Sequence, residues 1–173
     1  MGKNGRKSCR RWLLPAALVL AGAAWFENFT LSSSTVEVRS AALPAAFSGL
    51  RVVQISDLHG RRFDAVSRYL LALVRLQNPD FIALTGDLAD EFTDFSMLPP
   101  LLDGLTALAP TFYVTGNHEW VLSREKRAAL FSMLDAAGVV RLQNEYRLLK
   151  KGQASIVLAG VDDPNGPYDQ KRP

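Results

Sequence analysis

Cysteine occurs once in this chain, as Cys9, and histidine twice, as His59 and His118. A single thiol excludes an intramolecular disulfide and any zinc site built from several cysteines. Cys9 also precedes the apolar N-terminal stretch, where a lipoprotein signal would place its cysteine afterwards. Excess positive charge is lacking too, despite a net charge of +3. Five of the 20 basic residues (Lys3, Arg6, Lys7, Arg10, Arg11) lie in the first 11 positions, leaving 15 against 17 acidic residues. That balance offers no basic face for nucleic acid. Low-complexity tracts are absent. The uncharged run Trp12 to Phe26 has fifteen residues, somewhat short of the roughly 20 that span a bilayer.

What is present is 173 residues with 48% apolar and 21% charged content, the profile of one globular domain with a real core. Residues 1–30 read as a basic start followed by an export signal or membrane anchor. Ala21-Gly22-Ala23 resembles a cleavage site, but no polar segment separates it from the apolar run, which favours an uncleaved anchor. The positive-inside rule then keeps the N-terminus cytoplasmic and the remainder outside the membrane. Arg10-Arg11 also partly matches a twin-arginine export signal. Residues 31–50 read as a Ser/Thr-rich tether, an edge strand through Val36 and Val38, and a turn around Pro44.

The folded domain, residues 51–173, is organised by three stretches of one design: RVVQISDLHG from Arg51, FIALTGDLAD from Phe81 and TFYVTGNHEW from Thr111. Each is an apolar run that stops at polar residues, and Asp57, Asp87 and Asn117 stand thirty residues apart. Thirty residues accommodate a strand, loop, helix and return, so the spacing predicts βα units of a parallel sheet. Strands are expected at Arg51 to Ser56, Phe81 to Leu84 and Thr111 to Val114, the first of them central and covered on both faces. Helices are expected over Asp64 to Gln77, with Asp64 as N-cap, over Ser96 to Leu108, with Ser96 as N-cap, and from Ser123 to a stop at Gly138. Val139 to Leu142 follows, then a hairpin of Tyr146 to Leu149 and Ser155 to Leu158.

Sites in parallel sheets sit outside the carboxyl ends of the strands, so the three polar loop starts should meet in one crevice. Asp57 and His59, one residue apart, point the same way if the segment is extended, and a carboxylate with an imidazole suits a divalent transition metal. Gly86 lets the backbone turn sharply and deliver Asp87, whose two oxygens can bridge two cations. Asn117 offers a neutral ligand oxygen, and His118 can give a proton to a leaving oxygen. Taken singly, each pattern also describes a loop cap beside a surface histidine. Both histidines of the chain nevertheless fall in these loops.

Asp57-Leu58-His59, Gly86-Asp87 with Asp90, and Gly116-Asn117-His118-Glu119 resemble the D-x-H, G-D-x-x-D and G-N-H-D/E blocks of the calcineurin-like metallophosphoesterases. VVQISDLH, the N-terminal anchor and GVDDP are similar to a membrane-associated bacterial branch of that family. The resemblance implies an α/β fold, a four-layer αββα sandwich, of which these residues form the N-terminal part. It implies two divalent metals, manganese, iron or zinc, with Asp57 and His59 on the first, Asp87 bridging and Asn117 on the second. It implies further that a metal-bridging hydroxide attacks phosphorus, with His118 as acid and Glu119 orienting it. The family pattern continues with a lone histidine and a G-H-x-H block, and no histidine follows His118 here. The expected function is hydrolysis of a cell-envelope or lipid-linked phosphoester beside the membrane. The alternative is an inactive scaffold of the same fold.

Overall fold

The computed structural model describes residue 15 and residues 33–60, 63–164 and 166. The chain divides into two units, Met1–Arg39 and Ser40–Pro173. The N-terminal basic start and apolar run lie outside the described residues. Among the described residues no helix is long and apolar enough to cross a membrane. Residues 33–40 form no regular structure, and Val36 and Val38 are 79% and 80% exposed, so the edge strand expected there does not form.

In the second unit four strands, β1 (Val52–Ile55), β2 (Phe81–Thr85), β3 (Thr111–Val114) and β4 (Val140–Arg141), form a parallel sheet in the order β1-β2-β3-β4. Among the described residues the chain therefore advances across the sheet in one direction, and β1 lies at its edge rather than its centre. Val52 is accordingly 46% exposed and Gln54 faces solvent. Between the strands run α1 (Phe63–Gln77), α2 (Leu98–Thr106) and α4 (Arg124–Ala136), with a short α3 (Asn117–Val121) directly after β3.

Helix limits follow local chemistry. α1 stops at Asn78, whose φ of 47° takes the left-handed conformation that Asn tolerates, and Pro79 bars continuation. The cap expected at Ser96 is instead Asp94, whose carboxylate accepts from Ser96 N–H at 3.0 Å and opens a 3-10 turn, Phe95–Met97, that leads into α2. Pro99 sits in the first turn of α2, where its missing N–H costs nothing. Ser123 caps α4 by accepting from Lys126 N–H, and Gly138 beyond its end has φ 77°.

Beyond β4, β5 (Glu145–Lys151) and β6 (Ala154–Gly160) pair antiparallel. Gly152 (φ 61°) takes the first central position of their two-residue turn. This hairpin packs on one face of the parallel sheet, where Leu149 and Leu158 meet Phe81, Ala83, Phe112, Val114, Val140 and Leu142. Strand alternation turns Ile82, Leu84 and Tyr113 to the other face, the side of the buried Leu70 and Val74 of α1 and Leu101, Leu102 and Leu105 of α2. The described residues thus supply three layers, helices, sheet and hairpin, of the four expected.

Candidate metal centre

The residues after β1, β2 and β3 converge at the carboxyl ends of the strands. The first two loops run side by side: Asp57 N–H donates to Gly86 O at 3.3 Å, His59 N–H to Asp87 O at 3.0 Å and Gly60 N–H to Leu88 O at 3.2 Å. A Cβ on Gly60 would lie 2.1 Å from Thr93 Oγ1, so only glycine permits this approach. The second and third loops are closer still. A Cβ on Gly86, whose φ is 87°, would fall 2.4 Å from Gly116 N, and one on Gly116 would fall 2.3 Å from Asp87 Oδ1. Two facing glycines therefore let the loops touch backbone to backbone.

Ligand atoms of His59, Asp87 and His118 lie within 4.8 Å of one another, all three residues being partly buried. The two imidazoles meet edge to face with centroids 4.6 Å apart. Asp57 Oδ1 is 3.8 Å from His59 Nε2 on the exposed margin of this group. Asp57, His59 and Asp87 have φ of 56°, 52° for Asp87 and 45° for His59, all left-handed. Non-glycine residues in that region are uncommon, and three of them at one site indicate a backbone held by its surroundings. The extended segment expected to align Asp57 with His59 is thus absent. The pair still converges, because the left-handed turn rather than strand alternation aims it.

His118, read from the sequence as a proton donor, has its imidazole beside the candidate ligand atoms of His59 and Asp87, and its backbone N–H donates to Asp87 Oδ1 at 2.9 Å. Asn117, the first residue of α3, is exposed beside it.

Glu119 is fully buried. Its Oε2 accepts from Asp87 N–H at 3.0 Å and Gly116 N–H at 2.8 Å, and its Oε1 from Leu88 N–H at 2.7 Å and Ala89 N–H at 3.4 Å. The carboxylate thus staples the second loop to the third and closes half of a capping box on α3. Nearby, Tyr113 is buried with its hydroxyl unpaired. Burial first, then the charges of Glu119, Asp162 and Asp87, hold that phenol well above its ordinary pKa, so it stays neutral.

Asp90, part of the second motif, is a loop former: its Oδ1 accepts from Phe92 N–H at 3.0 Å and Thr93 Oγ1 at 2.9 Å. Asp162 is the residue that sequence reasoning missed. It is buried, and it accepts from Thr115 Oγ1 at 2.7 Å. The GVDDP segment marked the place, but nothing in it tells which aspartate turns inward.

Imidazole nitrogens and a carboxylate oxygen suit manganese, iron or zinc. Donors bound about 2.1 Å from one ion stand about 3 to 4 Å apart, so small side-chain rotations bring this group onto a metal. The residues present fit such an ion.

Comparison with known proteins agrees. Residues 50–166 match the family model described as calcineurin-like phosphoesterase. The chain is 32% identical over 117 residues to the metallophosphoesterase YkoQ of Bacillus subtilis (strain 168), covering 66% of this chain and 43% of that protein. It is also 32% identical over 117 residues to the phosphodiesterase YaeI of Escherichia coli (strain K12), covering 65% of this chain and 43% of that one. Against a transmembrane protein with metallophosphoesterase domain from Bos taurus it is 34% identical over 143 residues, 75% of this chain and 31% of the relative. The chain thus spans less than half the length of these relatives. With the family model covering most of the folded unit and three metal-type ligands gathered where its motifs fall, the chain belongs to the calcineurin-like phosphoesterase family.

Proposed function

We infer that the protein hydrolyses phosphoesters with divalent metal held by Asp57, His59, Asp87, Asn117 and His118. The observation that carries this reading is the convergence of His59, Asp87 and His118 from three successive strand ends. Two divalent ions, when bound, would polarise the phosphoryl oxygens and supply a nucleophilic hydroxide at neutral pH. Asp87 would help to hold the metal, its carboxylate offering two oxygens. His118 N–H occupies one lone pair of its Oδ1, leaving the rest of the carboxylate for ligation. Asn117 adds an oxygen without adding charge. His118 has either of two roles open to it, ligand or proton donor to the leaving oxygen. Glu119 fixes the loops that carry Asp87 and His118 and is a positioning residue.

A phosphoester of the cell envelope or of a lipid is the proposed substrate class. The basic and apolar N-terminal sequence supports it, and a relative bears the word transmembrane in its name. The competing reading is an inactive scaffold of the same fold.

Asp87→Asn in the full-length protein decides between them. Hydrolysis of bis(p-nitrophenyl) phosphate with added Mn2+ should fall by about 100-fold or more in kcat, since the lost charge weakens metal held at the centre of the site. Wild-type turnover in that variant would remove Asp87 from the mechanism. A wild-type protein without turnover would favour the scaffold.

A further inference from the structure

Asp162 lies outside the candidate ligand group, yet it is only 2% exposed. Its Oδ1 accepts from Thr115 Oγ1 at 2.7 Å and from Thr115 N–H at 3.4 Å. Thr115 stands between the end of β3 and Gly116, so this grip falls at the root of the loop bearing Asn117 and His118. The same threonine oxygen accepts from Trp120 Nε1 at 3.1 Å, near the far end of α3. One hydroxyl thus donates to Asp162 and accepts from Trp120, and its orientation is fixed at both ends. Asp162 is in turn anchored, because its own N–H donates to Asn144 Oδ1 at 3.1 Å, just ahead of β5.

The chain reaches this position through a tight contact. A Cβ on Gly160, the last residue of β6, would lie 2.2 Å from Leu142 Cβ and 2.7 Å from Val114 Cγ1. The end of the hairpin is therefore pressed against the end of β3. Asp162 Oδ2 has no hydrogen-bond partner. A group that served only to fill space there would more economically be apolar, since a buried carboxylate is costly unless its hydrogen bonds are needed.

The geometry points to Asp162 as a positioning residue of the metal centre: through Thr115 it holds the Gly116–Trp120 turn so that His118 faces His59 and Asp87 before any metal arrives. This rests on the metal-dependent reading above. It assigns the hairpin a part in that site, because Asn144, which anchors Asp162, directly precedes β5, and Gly160, which ends β6, stands two residues before Asp162.

The test uses the purified chain carrying Asp162→Ala, Asp162→Asn or Thr115→Val, each read in two ways. Hydrogen exchange without metal, followed by mass spectrometry, should accelerate about tenfold or more at amides 115–120 in the Ala and Val variants, and stay unchanged over 63–77. Calorimetric Mn2+ titration should show affinity about tenfold weaker in those two variants. Asp162→Asn keeps an oxygen for Thr115 and should restore both readouts to within about threefold of wild type. Thr115→Val preserves the shape of the side chain and decides the matter if Asp162→Ala fails to fold. Wild-type exchange at 115–120 in Thr115→Val, or an Asn variant as impaired as Ala, overturns the proposal. If wild type binds no Mn2+, the metal reading fails, and the exchange measurement still decides the tether.

Discussion

Glu119 shows how a single side chain can be legible as a motif and illegible as a role. Its place in Gly116-Asn117-His118-Glu119 draws attention, but its partners are backbone amides of Asp87, Leu88 and Ala89, some thirty residues earlier, and of Gly116. No local rule foretells a contact with a remote backbone. Glu119→Gln replaces one acceptor oxygen with an amide donor facing N–H groups that already donate. Unfolding in urea should reveal a loss of about 3 kcal/mol, since buried donors left unpaired cost about 1 to 3 kcal/mol each. A loss below about 1 kcal/mol would mean that water reaches these amides. The left-handed φ values of Asp57, His59 and Asp87 belong to this scale as well. Aspartate tolerates that region, which makes a left-handed turn permissible, but permission is all that residue type conveys.

At the scale of elements, periodicity and capping residues located most of the structure. Leu70 and Val74 of α1, Leu101, Leu102 and Leu105 of α2, and Leu130 and Leu134 of α4 are all buried, as their spacing requires. Ser123 caps α4 as expected, and Ser123→Ala should lower stability by about 1 kcal/mol in the same urea measurement. An unchanged midpoint would show that water replaces the hydroxyl. The five-residue α3 escaped notice because it is too short for any hydrophobic period to declare itself. Asp94 took over the cap expected of Ser96 because its carboxylate accepts from Ser96 N–H and opens a 3-10 turn, whereas the N3 position of a Ser96 cap would be Pro99, which has no N–H. β1 was misplaced to the centre of the sheet for a different reason. Its apolar residues resemble those of a covered strand, but strand order is a property of the whole sheet.

At the scale of the molecule, the hairpin and the parallel sheet share one apolar seam. Phe81 and Phe112 meet edge to face there with centroids 5.7 Å apart, and Leu149 and Leu158 pack on them from the hairpin. Phe112→Ala should cost about 3 to 5 kcal/mol by urea unfolding, the range for removing a buried aromatic ring. If Asp162 couples this seam to the third loop, the same variant should also weaken Mn2+ binding. A stability change below about 1 kcal/mol would indicate that the hairpin docks without this ring.

The sequence by itself determined the βα period, the three loops, Asp57, His59, Asp87, Asn117, His118 and Glu119 as the residues to watch, and the family. Each of these rests on spacing along the chain or on residue type, which are one-dimensional facts. Tertiary structure alone decided that β1 is an edge strand among the described residues, that the His118 side chain lies beside those of His59 and Asp87, and that Glu119 and Asp162 brace the loops from inside. Those outcomes depend on which distant backbone groups need partners once water is excluded, and only the folded chain brings such groups together.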